Sequence, residues 1–239
     1  MKKDNRSYYD DFAGWYEKER HHGYHAFLDR LQVELAEPIS RGKAVLEIGC
    51  GTGMILKEIA PLASSAIGVD ISQGMLLKAR SRGLAVAQGS ATDLPFGDET
   101  FDAVYSFKVL AHVADISKAM SEVERVLRPG GQAVLEFYNR RSLRYFIKSL
   151  KPAHRISATT TDEQVYTRYD SLDDVRSYLP QGLRLEGVRG IRVFTPFAQV
   201  HHVPGLRRVM ASAERFARDF KPTAHLGGFL VVLLRKASV

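Results

Sequence analysis

The chain has 239 residues, 45% hydrophobic and 26% charged, an ordinary globular composition that excludes a disordered chain. No run of about 18 apolar residues occurs, and a single cysteine, Cys50, excludes an internal disulfide and a cysteine-based metal site. The net charge of +7 is uneven: residues 1–139 carry 16 Lys/Arg against 19 Asp/Glu and residues 140–239 carry 18 against 8, so the two parts hold −3 and +10.

A basic C-terminal part favours an anionic partner, whether an acidic small molecule, a membrane surface or RNA, or else is a solvated face. The N-terminus MKKDNRSYYDDF starts positive but has no apolar stretch behind it, so no signal peptide is read there and a cytoplasmic protein is expected.

In chain order, residues 8–37 read as helical, with Phe27, Leu28, Leu31 and Leu35 on one face of the second segment. Strands are expected at Ala44–Ile48, Ala66–Asp70, Leu84–Gln88, Phe101–Ser106 and Gln132–Tyr138, all short and apolar. Between them come helices at Met54–Leu62, Ser72–Arg82 with Ser72 as N-cap, and Ile116–Leu127. Such alternation argues for a parallel sheet covered on both faces. The segment from Asn139 to Tyr169 has no strand pattern and reads as an insertion. After it come a helix near Leu172–Leu179, a strand within Leu183–Phe194, a basic helix at Leu206–Phe220 and a strand at Phe229–Arg235.

The stretch VLEIGCGTG, residues 45–53, places glycines at every second position directly after a strand. A dinucleotide fingerprint needs G-x-G-x-x-G, but Met54 stands where the third glycine would be, and no Gly-Lys-Ser/Thr of a P-loop follows. Glu47 would repel a pyrophosphate and attract an ammonium group. The ligand expected is therefore a nucleoside without phosphate and with a cationic tail. Asp70, ending the next strand in GVDIS, is spaced to accept hydrogen bonds from both ribose hydroxyls.

These residues resemble the class I S-adenosylmethionine-dependent methyltransferases. VLEIGCGTG is similar to that family's first motif, GVDIS to its second, GSATDLPFGDETFDAVYS to its third and fourth, and RVLRPGG to the loop before its fifth strand. The resemblance implies an α/β, Rossmann-like, seven-stranded, mostly parallel sheet with helices on both faces and the last strand antiparallel. It implies one domain, with a helical lid over residues 1–40, a cofactor core over 41–139, acceptor-side insertions and later strands over 140–225, and the final strand over 226–239. It implies S-adenosyl-L-methionine as cofactor and S-adenosyl-L-homocysteine as product. On the same analogy the Gly49 and Gly51 backbone approaches the methionine part, Asp70 binds the ribose, Ser90 and Ala91 lie beside the adenine, and Ser106 with Phe107 lines the floor near the sulfonium. Glu47, Thr52, Ile71 and Thr92 complete the cofactor side. Ser90 departs from the Asp or Asn usual there, and Thr92 or Asp93 is the substitute for its adenine contact.

The acceptor side is less marked. In YYDDFAGWYEKERHHGYH the rings of Tyr9, Trp15 and Tyr16 are placed to face a sulfonium, Arg20, counted with the cofactor-binding residues, to hold a carboxylate, and His21, His22 or His25 to act as base. His112 follows the fourth strand where acceptor-facing residues fall in the family, and Tyr138 and Asn139 end the fifth. His112, His25 and Tyr16 are the catalytic candidates. No metal is expected, since the adjacent pair His201–His202 lacks a third ligand. Arg141, Arg144, Lys148 and Lys151 would form a basic stripe on a helix, suited to a membrane surface, to an apolar substrate or to solvent. The leading expectation is methylation of oxygen or carbon in an apolar or anionic small-molecule acceptor. An RNA methyltransferase and a cofactor-binding protein without methyl transfer are the alternatives. No nucleobase-amine motif Asn/Asp-Pro-Pro-Tyr is present, since Ser106-Phe107-Lys108-Val109 stands in its place. Nothing in the sequence bears on oligomeric state.

Overall fold

The computed structural model describes residues 5–12, 23–149, 166–194 and 204–238. The strands β1 (Ala44–Ile48), β2 (Ser65–Asp70), β3 (Val86–Gln88), β4 (Phe101–Ser106), β5 (Leu127–Tyr138), β6 (Leu183–Ile191) and β7 (Phe229–Lys236) form one sheet ordered β3-β2-β1-β4-β5-β7-β6. The first five pair in parallel, and β7 runs antiparallel to both β5 and β6. The order reverses between β1 and β4, and this is the switch point outside whose carboxyl edge α/β sheets bind ligands.

Period-two alternation divides the core. Leu46 and Ile48 of β1 face one side, against Ile116, Met120 and Val123 of α5 (Ile116–Val126). Val45 faces the other, against Leu28, Leu31 and Leu35 of α2 (Gly23–Ser40). Leu31 and Met120 have no exposed surface, and full burial of such a side chain is worth about 1.5–3 kcal/mol. Between β2 and β3, α4 (Gln73–Ser81) starts as the sequence predicts, with Ser72 Oγ accepting from the Met75 N–H at 3.2 Å. Ahead of these, α1 (Asn5–Phe12) packs on α4 through Asp10. Its Oδ1 accepts from Ser72 Oγ at 2.6 Å and from the Gly74 N–H at 2.9 Å.

Two expectations are corrected. The helix expected over Met54–Leu62 is α3 (Leu56–Ile59) followed by a 3₁₀ turn over Ala60–Leu62, because Pro61 has no N–H to give to the preceding turn. The basic stripe does not form as one face of α6 (Leu143–Ser149). Arg141 lies outside the helix and pairs with Asp173 at 3.3 Å, whereas Arg144 sits over the rings of Tyr138 and Phe229. The Lys148 side chain and Lys151 lie outside the described residues. Several arginines of the C-terminal part are held in ion pairs. Arg140 meets Asp174 of α7 (Leu172–Tyr178), while Arg215 and Arg218 of α8 (Pro204–Asp219) both meet Glu34. After α8 the short α9 (Lys221–Ala224) leads into β7.

Candidate functional site

The chain leaves β1 in a loop that folds over the end of β2, where the N–H groups of Gly49 and Cys50 both donate to the Val69 carbonyl, at 2.7 and 3.0 Å. Gly49 has φ +72° and Gly51 φ +52°, a left-handed region that favours glycine. A Cβ on Gly49 would stand 2.1 Å from Val109 Cγ2, while one on Gly51 would meet nothing within 4 Å. One glycine thus lets β1 pass beneath the segment after β4, and the other leaves open space beside the loop.

That space belongs to a cavity of about 540 Å³ lined by Gly49, Gly51, Asp70, Ile71, Ser90, Ala91, Thr92, Phe107, Lys108, His112 and Tyr9, among others. At its centre the Asp70 carboxylate is fixed by backbone. Oδ2 accepts from the Gly51 N–H at 2.8 Å and Oδ1 from the Ser72 N–H at 2.9 Å, and the Ile71 backbone also bonds the carboxylate, whose two oxygens keep capacity for a further donor. Burial pushes its carboxyl above the usual carboxylate range, against these backbone bonds. Ser90 Oγ and Thr92 Oγ1 are 2.8 Å apart and form the far wall.

Across Gly49 lies a second, smaller cavity, lined by Asp29, Gln32, Glu47, Thr52, Phe107 and Lys108. Glu47 shares the parity of Val45 on β1, so it projects beneath α2 and not into the larger cavity. It is 3% exposed and accepts from the Tyr105 hydroxyl at 3.2 Å. Burial, opposed by that hydrogen bond, raises its carboxyl well above the ordinary range. Two acceptor-bearing atoms at this cavity, Gln32 Oε1 and Thr52 Oγ1, are buried with no hydrogen-bond partner among the described residues. Buried polar atoms are normally paired. A cationic donor such as an ammonium group fits this set of oxygens. Gly51 opens onto the larger cavity, Asp70 lies within it, and the acceptor-rich cavity adjoins it. The residues present therefore fit a phosphate-free nucleoside with a cationic tail, as the sequence predicts.

Behind the smaller cavity a polar network lies on the α2 side of the sheet, which the sequence reading missed. Glu136 of β5 has no exposed surface and accepts from Gln32 Nε2 at 2.7 Å and the Lys108 N–H at 3.1 Å. Lys108, itself at φ +62°, donates Nζ to Asp29 Oδ1 at 2.9 Å. Burial pushes the Glu136 carboxyl up to about 7 against the pull of Lys108. A glutamate in the otherwise apolar stretch AVLEFY was the available signal.

His112 lines the larger cavity. Its Nδ1 lies 2.8 Å from the Tyr166 carbonyl. A carbonyl only accepts, so a neutral His112 bonded to it carries its proton on Nδ1, with the Thr167 hydroxyl 3.4 Å from the same nitrogen. Arg168 straps this region together. Its backbone N–H donates to the Ala111 carbonyl at 2.7 Å, and its guanidinium donates to the carbonyls of Val113 at 2.7 Å and Leu110 at 3.1 Å while pairing with Asp170 at 2.8 Å. Rings of Tyr138 and Tyr9 meet His112 edge-on, at 5.5 and 6.3 Å.

Other sequence candidates fall elsewhere. Ser106 does not line the larger cavity, because its buried hydroxyl donates to the Ile48 carbonyl at 2.9 Å. His25 is exposed on α2, beside Tyr24, and lines neither cavity. Asn139 turns away to bind the carbonyls of His225 and Gly227, at 2.7 and 2.8 Å. Trp15, Tyr16, Arg20, His21, His22 and the pair His201–His202 lie outside the described residues. Among the described residues no cluster of His, Cys, Asp and Glu could hold a metal, and no helix is long and apolar enough to cross a membrane.

A seven-stranded sheet with an antiparallel last strand, a glycine turn after β1 and an acidic residue ending β2 define the class I, Rossmann-like S-adenosylmethionine-dependent methyltransferases. This chain carries such a domain: residues 46–135 match a family model described as a methyltransferase domain. Among curated relatives, a demethylmenaquinone methyltransferase of Mycobacterium sp. (strain KMS) is 35% identical over 145 residues, covering 57% of this chain and 63% of that one. An O-methyltransferase of Penicillium expansum is 35% identical over 118 residues, covering 45% of this chain and 43% of that one. In both cases the match spans less than two thirds of the relative's length. A solved structure from Thermotoga maritima, described as a SAM-dependent methyltransferase and possible histamine N-methyltransferase, shares the fold. Its TM-score is 0.64 at 22% identity, over 97% of this chain and 99% of that one.

Proposed function

We propose that this protein transfers a methyl group from S-adenosylmethionine to an oxygen or carbon of a small-molecule acceptor. When bound, S-adenosylmethionine supplies a methyl on a sulfonium whose departure needs no further activation. In this reading Asp70 receives the ribose with the capacity its oxygens keep, and Ser90, Ala91 and Thr92 flank the adenine. The acceptor oxygens of Gln32, Thr52 and Glu47 hold the ammonium end. An acid held above its usual range, as Glu47 is, is drawn back to its charged form by a cation beside it. The helix α1, fastened by Asp10 to the start of α4, brings Tyr9 to the cavity and acts as part of a lid that excludes water.

The observation that carries the reading is His112, which lines the same cavity as Asp70 and Gly51 with Nδ1 committed to a carbonyl. Nε2 is thereby oriented to take the proton of a phenol or enol as the acceptor atom attacks the methyl in line. The names of the Mycobacterium and Penicillium relatives support a small-molecule acceptor. An RNA substrate is not favoured, since the relatives named above are a demethylmenaquinone methyltransferase and an O-methyltransferase. The test is transfer of labelled methyl from S-adenosylmethionine to a panel of phenols. Product carrying the label is expected, and His112→Asn lowers its formation by roughly 100-fold or more. Undiminished transfer in that variant, or no transfer to any phenol, would overturn the proposal.

A further inference from the structure

Glu136 stands where an ionisable side chain is least expected. On β5 it shares its face with Val134 and Tyr138, which pack in the apolar cluster under α2, and neither Glu136 nor Gln32 of α2 has any exposed surface. A buried carboxylate is weak evidence for stability, since apolar residues of similar volume are often neutral or better in such a place. Its donors are also not cations. They are the Gln32 amide, with Nε2 at 2.7 Å from Oε2, and the Lys108 backbone, with its N–H at 3.1 Å from Oε1.

Each of these bonds sets the direction of a group at a cavity that Glu136 itself does not line. Gln32 lines the smaller cavity, and Lys108 lines both. An ionised carboxylate only accepts, so it takes the NH2 end of the Gln32 amide and leaves Oε1 on the other side. That oxygen is buried with no hydrogen-bond partner among the described residues, as is Thr52 Oγ1 at the same cavity. The second bond acts on the peptide before Lys108. With its N–H turned to Glu136, the Phe107 carbonyl of that trans peptide points the opposite way, and Phe107 lines both cavities. Lys108 holds φ +62° in this arrangement, a left-handed backbone of the kind that clusters at ligand sites.

We infer that Glu136 is a positioning residue for the methyl donor: it turns the Gln32 amide so that an oxygen, and not an NH2 group, meets the donor's ammonium group. The assignment rests on the proposed binding of S-adenosylmethionine. It makes the preference of the smaller cavity for a cation depend on a carboxylate that touches no ligand. An amide at this position does the opposite. In Glu136→Gln the new carbonyl keeps the Lys108 N–H, the new NH2 group faces Gln32, and the Gln32 amide turns over to offer Oε1 to it. The Gln32 NH2 group is then presented to the smaller cavity, where its positive end repels a cation. The fold keeps its hydrogen bonds while the cavity loses an acceptor.

The experiment titrates the full chain with S-adenosylhomocysteine and with 5′-methylthioadenosine, which keeps the nucleoside and the sulfur but lacks the amino-acid end. Glu136→Gln is expected to bind S-adenosylhomocysteine roughly ten- to hundred-fold more weakly and 5′-methylthioadenosine within about three-fold of wild type. In a Gln32→Ala background the same substitution should add no further loss, because the two residues act as one unit. Unchanged S-adenosylhomocysteine affinity in Glu136→Gln would overturn the assignment. So would an equal loss for both ligands, which marks a structural role, or a full further loss in the Gln32→Ala background, which marks another route. If neither ligand binds the wild-type protein, the methyl-donor reading falls and this assignment falls with it, whereas tight wild-type binding that Glu136→Gln leaves intact removes the assignment alone.

Discussion

Replacing Glu136 by Gln tests whether the buried network behind the smaller cavity is arranged as described. The folded protein holds this carboxyl at about 7 against an ordinary value of 4.5, and the group has no exposed surface. Its contribution to stability is therefore fully present below pH 4.5 and is lost as pH rises through about 7. At about 1.36 kcal/mol per pH unit, the loss is roughly 3 kcal/mol. Glutamine has no such titration. It also finds partners: the Lys108 N–H can donate to its carbonyl, and a flipped Gln32 amide offers the Oε1 that now lacks a donor. Urea unfolding of both proteins between about pH 5 and about pH 8 should show Glu136→Gln gaining roughly 2–3 kcal/mol relative to wild type toward the alkaline end. A difference that stays constant with pH would refute the reasoning, because Lys108 and Arg144 would then hold the carboxylate charged throughout.

The two loop glycines should separate on substitution. Gly49→Ala drives a methyl into Val109 and should lose roughly 3 kcal/mol or more of stability by urea titration. Gly51→Ala meets no atom and should lose only about 1 kcal/mol, yet its methyl enters the cavity and should weaken S-adenosylhomocysteine binding in a calorimetric titration. Equal stability losses in both would contradict the loop geometry. Arg168→Lys removes the strap on the Leu110–Val113 turn and should lower turnover while leaving S-adenosylhomocysteine affinity unchanged. A loss of cofactor affinity instead would place Arg168 in the fold of the cofactor cavity.

Strand and helix order was legible because each element carries its own signal. β1 and α5 have clean periodicity, Ser72 is a good N-cap, and the glycine turn and Asp70 are fixed by spacing along one βαβ unit. The shortened α3 was legible in principle, since Pro61 stands in the expected helix. Side-chain direction at strand ends was harder. Ser106 was placed at the larger cavity from its position, but its hydroxyl is spent on the Ile48 carbonyl, and alternation sends Glu47 beneath α2 into the smaller cavity. What the sequence could not display are contacts between distant segments. Gln32 and Glu136 are 104 residues apart and Asp10 is 62 from Ser72, and no local pattern in the chain announces such pairs. The same holds for Arg168, whose role exists only because residues 166–170 lie against the turn that carries His112.

The central claim is that the cavity beside Asp70 holds the methyl donor, and calorimetric titration with S-adenosylhomocysteine tests it most directly. The account predicts saturable one-to-one binding in the wild-type protein and a loss of roughly ten-fold or more in Asp70→Ala, where the ribose acceptors are gone. No binding to the folded wild-type protein, or equal affinity in the variant, would contradict it.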